Sequence, residues 1–472
     1  MSTAAIRDSA ANSAPPDIRL DARTGLPSGP RLLPQLVSGK AFRLNRAALF
    51  REYAREYGDL LSFRAFGRTI LQFNHPELVQ ELLVRDAPHH HRSLVMQRAK
   101  DVLGEGLLTS EEPLHMRQRR LAQPAFHRQR VVAYGETIGQ YTTRMTSGWE
   151  SGSTINMRAE MLLLALRIVG KTLFDSDVDS EVKQISRAVD SFSAYVPLTF
   201  LPFARLIERL PLRIMRDIRR GREQLDTLIY RMIAERRANP GDRGDLLSML
   251  LAASEEDMGG SGETARMSDT QVRDECLTIL LAGHETTANG LSFALWLLAQ
   301  HPEIQQRLAD ESRLVLEGRS PTAADYSKLP LAEQVFAEAL RLYPPVWVTG
   351  RTAAEDYTYR GIPIARGTML VAPQFVIHRD ARFFPDPDRF DPSRFSAEAK
   401  AGRPKFSYFP FGAGGRQCIG EGLAWMEGTL ILAEIAQHWT LAPLPGASTT
   451  IPLTPSFSLR PSGPVLLHVS RR

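Results

Sequence analysis

The residues from Phe411 to Gly420, Phe-Gly-Ala-Gly-Gly-Arg-Gln-Cys-Ile-Gly, place one cysteine in a glycine-rich turn. Glycines let a backbone turn sharply and approach a flat cofactor closely. From Gly422 to about Trp439 the pattern is helical. Cys418 therefore precedes a helix N-terminus, where the macrodipole and free N–H groups favour a thiolate. A thiolate is the ligand a haem iron needs if it is to cleave O–O. A lone cysteine is more often a small buried hydrophobe, but the glycines and Arg416 around this one favour the ligand. The same glycines do not cradle phosphate, because no Gly-Lys-Ser/Thr follows them. Gly259-Gly260-Ser261-Gly262 is a loop and not a dinucleotide fingerprint.

A second candidate is Ala282-Gly283-His284-Glu285-Thr286-Thr287, which interrupts an apolar helix. Leu277, Ile279, Leu280 and Leu281 precede it; Phe293, Leu295, Trp296, Leu297 and Leu298 follow. Buried carboxylates and hydroxyls are costly unless partnered. The Thr286 hydroxyl can compete for the Ala282 carbonyl and open the helix locally, making room for O2 and water. The competing explanation is a polar face meeting another polar helix. Cys276, about two turns earlier, is read as packing. Glu338 and Arg341 share a helix face and can pair, although exposed pairs of this kind contribute little. His115 and Arg119 share a face at i, i+4. His89-His90-His91 cannot converge easily on one ion if extended, so a loop is expected there.

Phe-x-x-Gly-x-Arg-x-Cys-x-Gly resembles the haem-binding signature of the cytochrome P-450 family, and Phe411, Gly414, Arg416, Cys418 and Gly420 fill every fixed place. The cluster at 282–287 is similar to that family's oxygen-activation motif. Glu338-Ala339-Leu340-Arg341, just before Pro344-Pro345, is similar to its Glu-x-x-Arg, and Pro387-Asp388-Arg389-Phe390 supplies the later Arg. The motifs run in family order from His115 to Leu459.

The resemblance implies a mainly α fold with small β-sheets, a single large domain, and a b-type haem (iron protoporphyrin IX) on Cys418. It implies that Phe411, Gly414 and Gly420 shape the cofactor loop and that His115, Arg119, Arg351 and Arg416 hold the propionates. Glu285 and Thr286 would deliver protons to the dioxygen that the haem activates, with no role for His284. Glu338, Arg341 and Arg389 would form a buried structural triad, and His378-Arg379-Asp380 would be structural. The implied activity inserts one atom of O2 into a C–H bond and reduces the other to water, the cofactor carrying the hard chemistry.

By the same analogy the pocket takes Val95 and Met96, Leu280 to Ala282, Val346-Trp347-Val348 and Ser456-Phe457-Ser458. These are mostly apolar, so a lipophilic substrate is expected, a terpenoid or a fatty acid. The lack of an obvious carboxylate anchor tilts towards terpenoids or other neutral lipids; Arg92 and Arg98 keep fatty acids open. The alternatives are a peroxide-using enzyme, an isomerase or a dehydratase on the same haem; Glu285-Thr286 favours the O2 route. A haem sensor or electron carrier would need neither relay nor roomy pocket. Electrons are expected from a separate ferredoxin or flavoprotein reductase, docking near Arg117, Arg120, Arg403 and Lys405.

The elements that must position these groups are legible in outline. Residues 1–31, with Pro15, Pro16, Pro27 and Pro30, look like a flexible lead-in to a domain over 32–472. Leu60 to Asn74 reads as a hairpin turning at Gly67. Helical periodicity dominates to about Leu342, broken by an acidic, Gly-rich loop from Glu255 to Met267. The long helix carrying Glu285 starts at Ser268 with a capping box to Gln271 and stops near His301-Pro302. At about 30 residues it spans roughly 45 Å. A second helix, about Leu331 to Tyr343, ends at Pro344-Pro345.

Among 472 residues, 58 are Lys or Arg and 53 Asp or Glu, giving +5; 43 % are hydrophobic. That mild excess, with no basic block, argues against nucleic acid. Two cysteines are too few for a disulfide framework and fit a reducing compartment. No run reaches the length of a signal or membrane span, so a cytoplasmic monomer without a transmembrane anchor is expected.

Overall fold

The computed structural model describes residues 14–30, 46–65, 67–176, 181, 185, 212–252 and 267–472. The Glu255–Met267 loop expectation falls almost wholly outside them.

The longer helices are α1 (Arg46–Tyr57), α2 (Leu94–Leu103), α3 (Leu114–Ala122), α4 (Arg128–Ser147), α5 (Met157–Phe174) and α6 (Arg213–Ala238). They continue with α7 (Leu246–Ala252), α8 (Asp269–Gln300), α9 (Pro302–Leu316), α10 (Pro330–Leu342) and α11 (Glu421–His438). The strands are β1 (Leu60–Ala65), β2 (Arg68–Phe73), β3 (His90–Arg92), β4 (Thr154–Asn156), β5 (Thr349–Ala353) and β6 (Tyr357–Tyr359). The rest are β7 (Ile362–Ile364), β8 (Met369–Ala372), β9 (Trp439–Pro443), β10 (Leu453–Pro455), β11 (Leu459–Pro461) and β12 (Leu466–Arg471). The fold is thus mainly α with small sheets, as expected.

The residues group into two compact units, Met1–Ser93 with Leu340–Gln417, and Leu94–Ala339 with Cys418–Arg472. The chain crosses between them three times, so no single cut separates them. This is why no linker composition marks a boundary in the sequence.

The first unit is built on a five-stranded sheet in the order β1-β2-β8-β5-β3. β1 and β2 form the expected hairpin, pairing Leu60 with Phe73 through to Ala65 with Arg68. Gly67 turns it at φ +74°, a conformation that costs glycine nothing. Leu71, Phe73, Leu78, Leu82, Leu370, Ile377 and Phe409 bury a common core. The lead-in is not loose where it is described. Ile18 bridges to Leu60 and Leu20 to Pro27, and Asp17 N–H donates to Asp59 at 2.8 Å. The sheet's exposed edge offers backbone partners that composition alone does not reveal.

The second unit is helical around α8. Its capping box is as read: Ser268 Oγ accepts from Gln271 N–H, and the Gln271 side chain accepts from Ser268 N–H. α8 packs on α5, α6 and α11, and α11 also packs on α4 and α9. A helix that is apolar nearly all round belongs in a core. From Val272 to Leu295 every residue of α8 is buried except Ala282, Gly283 and Thr286. Antiparallel β4-β12-β9 and β10-β11 complete this unit.

Candidate active site

In the second unit α11 begins at Glu421, with Gly420 as its N-cap. Cys418 lies two residues ahead and has exposed surface. Protein nonetheless surrounds the sulfur closely enough for burial to push its thiol up to about 11. A hydrogen bond with the Gly420 backbone and the charge of Arg119 oppose that rise; Glu421 adds to it. The Gly420 hydrogen bond and Arg119 thus favour the thiolate, against desolvation. Arg119, on α3, is close enough to this sulfur to act on it electrostatically. His115, one turn earlier on α3, is buried, with Nδ1 2.8 Å from Glu112 Oε1. Arg117 and Arg120 are exposed on the same helix.

The gap in the burial of α8 is the polar cluster. Thr286 Oγ1 donates to the Ala282 carbonyl at 2.6 Å, as predicted. The helix nevertheless continues unbroken through this turn, so the expected opening is absent: the hydroxyl bonds the carbonyl without displacing the helical pattern. Glu285 is buried beside Thr286, and Arg460 Nη1 on β11 stands 3.8 Å from its Oε1. Thr287 is buried and hydrogen-bonded to Glu427 on α11, whose carboxyl burial pushes up to about 8. His284 is fully buried and kept neutral, burial lowering its pKa to about 4. Cys276 is buried with its thiol pushed well up, in line with packing.

Val95 and Met96 lie half-buried on α2. Ala282 is half-buried on α8 and Phe457 half-buried between β10 and β11. The next residue, Ser458, accepts from the Asn289 amide at 3.1 Å. Three consecutive α8 side chains hold the segment after α2. Arg273 donates to the Leu103 carbonyl, while Asp274 and Glu275 accept from Glu105 and Leu107 N–H at 2.8 and 3.0 Å. Burial pushes the Glu275 carboxyl up to about 8.

In the first unit, Phe411 to Gln417 runs as a turn with a single 3-10 segment over Gly414–Arg416. Phe411 and Arg416 are half-buried. Gly414 has φ +70°, and a Cβ there would stand 2.4 Å from the Leu83 carbonyl oxygen. Arg351 is buried on β5, donates to the Gly350 carbonyl at 3.0 Å, and with burial holds His90 at about 4.

Several expectations are corrected here. Arg341 is fully buried and donates to the carbonyls of His378, Pro387 and Arg389, but the Arg389 side chain is exposed. That position contributes its backbone, because three convergent carbonyls already suit a planar guanidinium. Glu338 is buried as expected. Trp347 is 4 % exposed and packs on Phe50, with Arg46 over its ring; this is core packing, not pocket lining. Arg403 lies over the Phe384 and Phe395 rings, whereas Lys405 is exposed. His90 and His91 belong to β3, not a loop, and no metal-binding His/Cys/Asp/Glu cluster occurs among the described residues. His378 is structural as expected: its Nε2 accepts from Phe409 N–H at 3.0 Å. Arg460, Glu427 and the Asp274–Glu275 clasp carried no signal in the sequence, since each depends on a partner on a distant element.

A family model described as cytochrome P-450 matches residues 27–468. Cyclooctatin synthase of Streptomyces melanosporofaciens is 37 % identical over 432 residues, covering 91 % of this chain and 92 % of that one. Cyclooctat-9-en-7-ol 5-monooxygenase of the same organism is 35 % identical over 83 % of this chain and 84 % of its own. Pentalenene oxygenase of Streptomyces avermitilis is 33 % identical over 87 % and 90 %.

Two neighbouring glycines separate backbone strain from packing. Gly412→Ala meets only the positive φ, with nothing within 4 Å, and should cost about 1 kcal/mol. Gly414→Ala must also displace the Leu83 carbonyl and should cost roughly 2–4 kcal/mol. Denaturant midpoints and haem content of the two variants check this; equal losses would contradict it.

Proposed function

The chain belongs to the cytochrome P-450 family, an oxidoreductase of monooxygenase type, and we propose that it hydroxylates a carbocyclic terpenoid at an unactivated carbon. The observation that carries this is the half-buried stretch of α8, where small Ala282 and Gly283 adjoin Thr286, bonded to the Ala282 carbonyl, and buried Glu285. Small residues beside an acid–hydroxyl pair suit a flat cofactor, dioxygen and an apolar substrate. The names of the relatives, cyclooctatin synthase, cyclooctat-9-en-7-ol 5-monooxygenase and pentalenene oxygenase, point to terpenoid chemistry.

The donor set fits a haem. Within the second unit, Cys418 presents a sulfur ahead of α11, Arg119 acts on it electrostatically, and buried His115 is the chemistry that a carboxylate side arm requires. With cysteines only at 276 and 418, no Cys-x-x-Cys-His attachment is possible, so the group is a non-covalent b-type haem. When bound, it supplies dioxygen activation. The protein's share is proton and water management. Thr286 holds its hydroxyl on α8, and Glu285 supplies the exchangeable proton beside it. Val95, Met96, Ala282 and Phe457 exclude water around the substrate.

The catalytic domain is taken as one domain over 32–472, acting as a cytoplasmic monomer. No helix among the described residues is long and apolar enough to cross a membrane. A separate ferredoxin or flavoprotein delivers electrons, with exposed Arg117 and Arg120 on α3 as the docking charges. Arg403 is withdrawn from that surface by its stacking on Phe384 and Phe395.

Titrating the ferric haem protein with a terpenoid panel and a fatty-acid series should give a saturable low-to-high-spin shift with terpenoids; saturation with fatty acids alone would overturn the substrate class. Thr286→Ala should lower product per electron pair about tenfold or more and release peroxide instead; unchanged coupling would remove its role. Reversing Arg117 and Arg120 to Glu should slow reductase-driven turnover at low salt and spare peroxide-driven turnover. Equal loss in both assays would sink the docking assignment.

A further inference from the structure

The N-terminal half of α6 carries Arg213, Arg216, Arg219, Arg220 and Arg222, with Asp217 inside the row and Glu223 just after it. All five arginines are exposed, as is Leu212 ahead of them. At helical spacing Arg213, Arg216, Arg219 and Arg220 share one face. The guanidinium groups of Arg216 and Arg220 make no ion pair or hydrogen bond among the described residues. Like charges one turn apart oppose a helix, and positive charge in its first turns opposes the macrodipole. α6 has no acidic residue in its first turn and no side-chain cap to compensate. Arg213 stands 3.9 Å from Asp217 and is 91 % exposed, so that pair contributes little. Arg222 is already engaged, donating to the Asp101 carbonyl.

The C-terminal half of the same helix differs. Arg231 pairs with Glu181 at 2.7 Å, Arg236 with Asp245 at 2.7 Å, and Arg237 with Asp269. The last two also sit where the dipole favours a cation. A face kept charged for solubility mixes both signs, whereas the face of Arg213 to Arg220 is dominated by one. The apolar stripe of α6, with Met215, Ile218, Leu225, Leu228 and Ile229, is buried and the helix packs on α8. An interfacial helix needs that stripe free to enter a bilayer. At this end of α6 the exposed large apolar side chain is Leu212, at 41 %. Every cation in the row is Arg, whose planar fork suits paired carboxylates. Ile218, Arg222 and Leu225 line an apolar cavity with Leu103, Leu277 and Leu281, while the cation that acts on Cys418 is Arg119 of α3.

We propose that the face of α6 formed by Arg213, Arg216, Arg219 and Arg220 docks an acidic protein distinct from the electron donor. Carboxylates of that partner supply the counter-charges that the C-terminal half finds within the chain. The like-charge row costs α6 stability while the protein is alone, and binding relieves it.

The test uses full-length haem protein and, as probe, a fluorescent peptide of alternating Glu and Ala, with its Gln counterpart as control. Anisotropy at low salt should show saturable binding of the Glu peptide alone, weakening as salt is added. Arg216→Glu/Arg220→Glu should weaken it about tenfold or more, and Arg216→Lys/Arg220→Lys about threefold. Arg117→Glu/Arg120→Glu should change it by less than about twofold. Bound peptide should slow hydrogen exchange over residues 213–222. The α6 reversal should keep the parent ferrous–carbon monoxide spectrum and raise the thermal midpoint, because acids suit the first turns of a helix; lost binding is then not lost folding. Its reductase-driven turnover of free terpenoid should stay within about twofold of the parent.

Equal weakening by the α3 and α6 reversals, or exchange slowed elsewhere than on α6, would reduce the binding to general charge attraction and overturn the proposal. So would phosphatidylglycerol vesicles that displace the Glu peptide from the parent and sediment it but not the α6 reversal, which would make the face a lipid surface. Loss of reductase-driven turnover in the α6 reversal, with peroxide-driven turnover kept, would give the face to the electron donor instead.

Discussion

A helix buried on nearly every side gains from each polar group it can match. α8 matches many of its own, although Thr278 Oγ1 and Asn289 Oδ1 have no hydrogen-bond partner among the described residues. Over α8, Arg273, Asp274 and Glu275 are matched to backbone groups after α2 and to Asp226. Thr287 meets Glu427, Asn289 meets Ser458, and Glu285 faces Arg460. Leaving a buried polar atom unmatched costs roughly 1–3 kcal/mol, so each match fixes a neighbouring element against α8. Between Val272 and Leu295, α8 shows surface at Ala282, Gly283 and Thr286, where small side chains and a self-satisfied hydroxyl leave space for chemistry.

The sulfur obeys the converse rule. Burial resists ionisation of Cys418 more strongly than the Gly420 N–H and Arg119 promote it. A metal cation held there would favour the thiolate. Ligand position is built by the turn before α11, and ligand charge is supplied by the partner it receives.

Local rules were legible where they act over a few residues. The Ser268–Gln271 box, the Gly67 turn and the stop of α10 before Pro344 all follow from capping, positive φ and the missing proline N–H. The Cys418 turn and the 282–287 cluster were legible because their chemistry is written in adjacent residues. Periodicity identifies a buried face but not what lies against it. Hence Trp347 was assigned to the pocket although it packs on Phe50, and Arg389 was given a side-chain role that its carbonyl performs. Arg460 went unnoticed for the same reason: only the β10–β11 hairpin brings it to Glu285.

The central claim, that Cys418 is the thiolate ligand of a haem facing the Glu285–Thr286 turn, is tested most directly by the ferrous–carbon monoxide spectrum of freshly prepared protein. The account predicts the strongly red-shifted Soret band of a thiolate-ligated haem in the parent chain and its absence in Cys418→Ser. A parent spectrum without that shift, or a shift retained in Cys418→Ser, would contradict it.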